Sequence, residues 1–249
     1  MIQLSVLKID GYGPWTLTLG SDREHELQML QASLYKEAQR LFSTRNCTVF
    51  LNRADELFAV TNGLTAKDHI DIQQNLRKSF DIRLSMSIGC ADSPFGASMK
   101  AYEAVRDGNI LDRENAIFGS VCNGSQDVTI MHLDVDNLTS RQKTTSPYDV
   151  TCIIFGLYAR MLEYFRTRNS LAFFMGGDNF MVIADKEARQ LASEFIDVAR
   201  DDLGILLNCG IGTAPTARQA VMLATQSLDK IREIRDSGGK KPDVYESSC

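Results

Sequence analysis

No apolar run in the 249-residue chain approaches the roughly 18 residues that a membrane span needs. The first ten residues, MIQLSVLKID, lack the charged-then-apolar pattern of an export signal. The expectation is a cytoplasmic protein with no membrane partner. The six cysteines (Cys47, Cys90, Cys122, Cys152, Cys209, Cys249) form no C-x-x-C pair, and there are only three histidines. That scarcity argues against a zinc site, and reduced thiols are expected without export. An excess of positive charge is also missing. At a net charge of −5, no nucleic-acid partner is expected, and a phosphate ligand has to be held by local groups rather than by the overall field.

What is present is ordinary in composition and repeated in pattern. Hydrophobic residues make up 44% of the chain and charged residues 24%, enough to bury real cores. The length suits two domains of about 120 residues. FLNRADELFAV (Phe50 to Val60) and FFMGGDNFMVI (Phe173 to Ile183) each place apolar flanks around a polar tip, and Asp55 and Asp178 lie 123 positions apart. Gly89 in SMSIGC and Gly212 in NCGIGT keep the same spacing of 123, and Asp10 in LKIDGY and Asp134 in MHLDVDN are 124 apart. A long period of this kind reads as a duplicated domain.

Each half carries the same predicted order. A short strand (Leu4 to Asp10, or Val128 to Asp134) leads into a long helix. Leu27, Leu30, Leu34, Ala38, Leu41 and Phe42 recur at helical spacing in one half. Ile154, Leu157, Met161, Leu162 and Phe165 do so in the other. The hairpin follows. Then come a helix (Ala66 to Phe80, or Glu187 to Leu203), a strand (Ile82 to Cys90, or Ile205 to Thr213) and a last helix (Ala97 to Arg106, or Thr216 to Asp236). The fold class expected is α+β: two tandem ferredoxin-like βαββαβ domains, with open sheet faces packed together. The boundaries are 1–112, a polar linker 113–127 and 128–249. The stretch from Asp107 to Asp127 offers one short edge strand, and the tail another at Asp243 to Tyr245.

Strand alternation turns Met131, Leu133 and Val135 to the core and His132, Asp134 and Asp136 to the opposite face. Lys8 and Asp10 share that face in the first half. In this topology the first strand ends beside the hairpin tip, so Asp134 and Asp178 meet. Two close carboxylates repel and raise one another's pKa, and a hard divalent cation such as Mg²⁺ relieves the conflict. Gly176 and Gly177 permit backbone geometry and close phosphate approach that other residues deny, and Asn179 adds a polar contact.

Plainer readings stand beside these. G-G-D-N is also a common hairpin turn, because Gly and Asn tolerate positive φ. Asp10 and Asp55 also suit solvated turns, His132 a polar packing role, and Trp15 a structural one. Lys230, Arg232 and Arg235 suit a solvated helix face.

LDVDN followed by FFMGGDNFMVI resembles the palm of nucleotidyl cyclases with GGDEF hairpins. With IDGYGPWT, the AVTNG segment (Ala59 to Gly63) and the tandem layout, the whole chain resembles the GTP cyclohydrolase III family. That resemblance implies an archaeal enzyme that opens the imidazole ring of GTP and releases phosphate, giving a formylaminopyrimidine ribonucleotide monophosphate for flavin and deazaflavin synthesis. It implies Mg²⁺, stimulation by K⁺ or another monovalent cation, no zinc, and a homo-oligomer. The palm family's phosphate-binding lysine, near the end of A-x-x-A-L-x-x-x-K, falls on Arg232, with Lys230 the choice if the register slips.

The halves differ. Arg53-Ala54 stand for Gly176-Gly177, Tyr12 for Asp136, and Asn109 for Arg232. Metal and triphosphate are therefore assigned to the second half, with two Mg²⁺ on Asp134, the Val135 carbonyl and Asp178, and Asp136 beside them. Guanine recognition falls to the first half through Asp10, Arg53, Asp55 or Glu56, since carboxylates accept from guanine N1 and N2 hydrogens and Arg donates to O6. Attack at guanine C8 is left open among His132, Lys8 and an acidic residue. Two other functions remain, a nucleotidyl cyclase and a silent GTP-binding module. A cyclase leaves the purine chromophore intact, and a silent module turns nothing over.

Overall fold

The computed structural model describes residues 1–124, 126–136 and 145–249. Asn137, which ends the LDVDN motif, lies outside the described residues. Two compact units emerge: Met1–Asp92 with Gly96–Gln126, and Ser93–Phe95 with Asp127–Cys249.

Unit 1 runs β1 (Ile2–Ile9), α1 (Tyr12–Leu17), α2 (Glu24–Ser43), β2 (Thr48–Arg53), β3 (Glu56–Val60), α3 (Ala66–Ser79), β4 (Leu84–Ala91), α4 (Pro94–Arg106), β5 (Ile110–Asp112) and β6 (Ile117–Gly119). Its sheet order is β2-β3-β1-β4-β6-β5. Unit 2 runs β7 (Val128–Val135), α5 (Pro147–Arg166), β8 (Leu171–Gly176), β9 (Asn179–Ala184), α6 (Ala188–Leu203), β10 (Leu207–Ala214), α7 (Ala217–Asp236) and β11 (Val244–Ser248). Its order is β11-β10-β7-β9-β8. The first strand of each unit is thus central, between the fourth strand and the hairpin. Among the described residues no helix is long and apolar enough to cross a membrane.

Local chemistry explains the helix starts. Thr65 and Asp68 form a reciprocal capping box on α3. Ser146 caps α5 with Pro147 behind it, and Thr216 caps α7. Each supplies a side-chain oxygen to an otherwise orphaned N–H, about 1 kcal/mol per cap. Leu7, Ile9, Met86 and Ile88 bury against α2 and α3. Met131, Leu133, Val135, Cys209 and Ile211 bury against α5 and α6.

The second face of each sheet is not left open, contrary to expectation. A Cβ on Gly210 would stand 2.1 Å from the Ala224 carbonyl oxygen of α7, and one on Gly89 would overlap Ala97 of α4. Only glycine lets these helices seat directly on the strands. α7 therefore lies across the face that carries His132 and Asp134, and this brings its basic end to the site.

Three further expectations change, in whole or in their bounds. The stretch read as a linker is built into unit 1: β6 pairs in parallel with β4, and Ile117 is fully buried in the unit 1 core. The tail strand runs to Ser248 and pairs with β10. Cys90 and Cys122 form a disulfide, where free thiols were expected. The AVTNG segment is structural: Asn62 accepts from the Gln3 amide at 2.8 Å, and the Ser5 hydroxyl lies 2.9 Å from Thr61 Oγ1 and 2.9 Å from His69 Nε2. Trp15 packs against the unit 1 core beside Tyr12.

Candidate active site

The unit 2 hairpin turns through Gly177 and Asp178, after a bulge between Phe174 and Gly176. Gly176 has φ 108° and Gly177 φ 62°, values that L side chains rarely adopt, and no atom would meet a Cβ at either. The tip is therefore open as well as permissive. β9 sets Asn179 opposite Asp134 of β7, so the end of β7 and the hairpin tip meet. Asp178, next in the chain to Asn179, therefore lies beside Asp134. Burial, and then the neighbouring Asp134 carboxylate, push the pKa of Asp178 above the usual range.

The pair is held from both sides. Arg232 Nη2 donates to Asp134 Oδ2 at 2.7 Å and Nη1 to Asp229 at 2.9 Å. Asn179 Nδ2 donates to Asp178 at 2.9 Å. The Asn179 oxygen lies 3.0 Å from His132 Nε2, while His132 Nδ1 lies 3.1 Å from the Thr225 hydroxyl of α7. The chain is consistent with Nε2–H donating to Asn179 and Nδ1 accepting from Thr225. Burial lowers the His132 pKa and keeps the ring neutral. Both ring nitrogens have partners within the protein, and through Nε2 the ring orients Asn179. Val135 sends its side chain into the core and has only its backbone to offer.

Asp136 sits differently from the expected metal ligand. Its side chain is 5% exposed; Lys241 Nζ donates to Oδ2 at 2.6 Å, and Arg235 stands 3.6 Å from Oδ1. Burial raises its pKa, but Lys241, Asn208 and Arg235 outweigh that and leave it below the usual carboxylate value. Lys230 turns away to Glu233 at 2.9 Å on the exposed face of α7. Thr225, Asn208 and Lys241 carry no motif that sequence reading could have found.

In unit 1 the ladder register corrects the sequence alignment. Lys8 stands opposite Glu56 and Ser85. Asp134 stands opposite Asn179 and Asn208, the residues 123 positions on from those two. Lys8, not Asp10, therefore holds the place of Asp134. Asp10 matches Asp136: its amide donates to the Arg83 carbonyl at 2.8 Å, as that of Asp136 does to Leu206 at 2.8 Å. Asp10 accepts a hydrogen bond from Ser85. Arg53 pairs with Asp55 at 3.2 Å and Glu56 at 3.4 Å. The first hairpin has the same bulge but no pair of facing carboxylates.

The unit 2 site thus presents two facing carboxylates, an open glycine tip and adjacent cations. That set suits hard-cation and phosphate chemistry. Beside Gly177 lies a cleft of about 430 Å³ lined by Phe155, Phe174, Val150, Ile154 and the start of α5.

The family model for GTP cyclohydrolase III matches residues 2–242. A protein named GTP cyclohydrolase III from Methanothermobacter thermautotrophicus is 36% identical over 93% of this chain and 95% of its own. Others of that name come from Natronomonas pharaonis (35% identical; 93% of this chain, 95% of that one) and Methanocaldococcus jannaschii (34%; 93% and 88%). Among solved structures, the chain is similar to a bacterial light-regulated adenylyl cyclase (13% identical, TM-score 0.40, 94% of this chain and 83% of that one). It is also similar to the GGEEF domain of a Vibrio cholerae diguanylate cyclase (13%, TM-score 0.38, 49% and 83%). Those scores are too low to argue from, whereas the sequence relationship spans nearly the whole chain: the protein belongs to the GTP cyclohydrolase III family.

Proposed function

We propose that the chain hydrolyses GTP at two places. Water adds at C8, the C8–N9 bond breaks, and the formyl group stays on N7. Water also cleaves the phosphoanhydrides. The products are 2-amino-5-formylamino-6-(5-phosphoribosylamino)pyrimidin-4(3H)-one and phosphate. The observation that carries this reading is the placement of Asp134 beside Asp178 at the open Gly176-Gly177 tip, in a chain of this family.

The donor set fits Mg²⁺. Asp178 is a carboxylate whose ionised form is disfavoured by burial and by Asp134, and a dication would reverse that penalty. Asp134, Asp178 and the Val135 carbonyl would hold it. Bound there, Mg²⁺ supplies charge neutralisation for phosphate oxygens and a more acidic water. The chain's own groups do the rest. Arg232 binds a phosphate oxygen once Asp134 is committed elsewhere. The amides of the tip approach the phosphates, and His132, through Asn179, fixes the Asp178 carboxylate.

Guanine recognition is better supported in the cleft beside Gly177 than in unit 1. Phe155 and Phe174, 5.4 Å apart, offer an apolar wall for a purine, whereas Arg53 is already paired with Asp55 and Glu56. The shared strand order and shared hairpin bulge support reading the units as tandem ferredoxin-like repeats, one of which has lost the carboxylate pair to Lys8.

The test is product identity. Mass spectrometry after incubation with GTP and Mg²⁺ should find the formylaminopyrimidine monophosphate. A cyclic nucleotide, or GTP recovered intact, overturns the reading.

A further inference from the structure

Asp136 is a buried acid with two cations beside it, Lys241 in direct contact and Arg235, which also donates to Asp236 at 2.9 Å. Its Oδ2 takes Lys241, and its Oδ1 is buried without a hydrogen-bond partner among the described residues, with Arg235 at 3.6 Å, too far for a hydrogen bond. Burying a carboxylate and leaving one oxygen unmatched is costly. The arrangement makes sense if the acid's task is to hold the cations rather than to be neutralised by them.

The geometry of Lys241 supports this. Its Nζ donates to Asp136 Oδ2 and to Asn208 Oδ1, each at 2.6 Å. An ammonium has three donors, and among the described residues two of them are used. Asn208 is the rung directly opposite Asp134. The ammonium is therefore fixed between the neighbour of the metal-type carboxylate and an acid two residues beyond it. Arg235 follows Arg232 by three residues on α7, a spacing that puts both on one helix face. Arg232, Arg235 and Lys241 make a row of cations along the end of β7. In unit 1 the corresponding Asp10 takes a serine hydroxyl instead.

We propose that Lys241 is a phosphate-binding residue for the terminal phosphates of the nucleotide, and that Asp136 is a positioning residue which holds Lys241 and Arg235 for them. The proposal rests on the GTP reading above and adds which residues read phosphate number.

The experiment compares binding of GTP, GDP and GMP, each with Mg²⁺, to the full chain and its variants. For Lys241→Ala the expected result is about a 10- to 100-fold loss of affinity for GTP with GMP binding unchanged, the size of one charge-assisted contact. In turnover the loss should fall on KM rather than kcat. Asp136→Asn should show the same pattern, and Lys241→Arg should restore part of the GTP preference. Binding of Mn²⁺, followed by electron paramagnetic resonance, should survive in Lys241→Ala and Asp136→Asn and fail in Asp134→Asn. If Asp136→Asn does not fold, Lys241→Ala and Lys241→Arg decide alone. Equal weakening of GTP and GMP in Lys241→Ala, or no weakening of GTP, overturns the proposal. A wild-type protein with no preference for GTP over GMP overturns the GTP reading itself, and this inference with it.

Discussion

Arg232 Nη2 and Asp134 Oδ2 are hydrogen-bonded at 2.7 Å, which joins the last helix of unit 2 to the end of its central strand. The pair gives Arg232 a fixed place beside the carboxylates before any phosphate arrives. It also brings to the site, from 98 positions along the chain, the cation that the palm family's helix register points to.

Removing that cation should weaken substrate binding. A charge-assisted contact to phosphate contributes about 1.5–3 kcal/mol, so Arg232→Ala should raise KM for GTP roughly 10- to 100-fold, with a smaller effect on kcat. Steady-state kinetics across GTP concentrations checks this. An unchanged KM would mean that Arg232 stays on Asp134 throughout the cycle.

The two units should differ sharply. Asp134→Asn removes a carboxylate from the facing pair and should lower phosphate release by about 10²–10³-fold. Lys8→Met, at the same rung of the other sheet, removes no such ligand and should leave phosphate release within about threefold. Phosphate assays on both variants decide; equal losses in folded protein would return the metal work to both units.

That asymmetry was only half legible in the sequence. The hairpins, the core-facing Leu133 and Val135, and the meeting of Asp134 with Asp178 follow from alternation and from the repeated tip. The match of Asp10 to Asp134 does not survive, because a slip of two residues leaves the in-out alternation unchanged. Only the pairing of Lys8 with Glu56 and Ser85 exposes it. Helix α7 on the second sheet face was hidden for a related reason. Gly210 and Gly212 read as strand residues, and their purpose, close approach of a helix, depends on a partner far along the chain. Lys241, in a loop after α7, has no periodic or motif signal at all.

Asp178 makes a stability prediction with a definite sign. Its folded pKa is raised, so the folded state binds its proton more tightly than the unfolded chain does. Its stabilising contribution is complete below the unfolded value of about 3.9 and is lost as pH rises through the raised folded value. Asp178→Asn removes that loss. In EDTA its Tm should exceed that of the wild type near neutral pH, and the two should converge at low pH. A variant less stable than wild type at neutral pH would contradict the cause assigned to the shift.

His132 should prove a positioning residue. Both ring nitrogens are bonded within the protein, so His132→Gln should lower kcat by about tenfold, below the 10²–10⁴ typical of a lost general base. It should also leave the shape of the pH–rate profile unchanged. Loss of a limb of that profile would make His132 the base at C8.

The central claim is that one carboxylate pair serves hydrolysis of GTP with opening of its ring. Ultraviolet absorbance and phosphate release, followed together in one reaction of GTP with Mg²⁺, test it most directly in wild type and Asp178→Ala. The account predicts that the purine chromophore disappears as phosphate forms in the wild type, and that neither change occurs in the variant. Phosphate release with an unchanged purine spectrum, or full activity in Asp178→Ala, would contradict it.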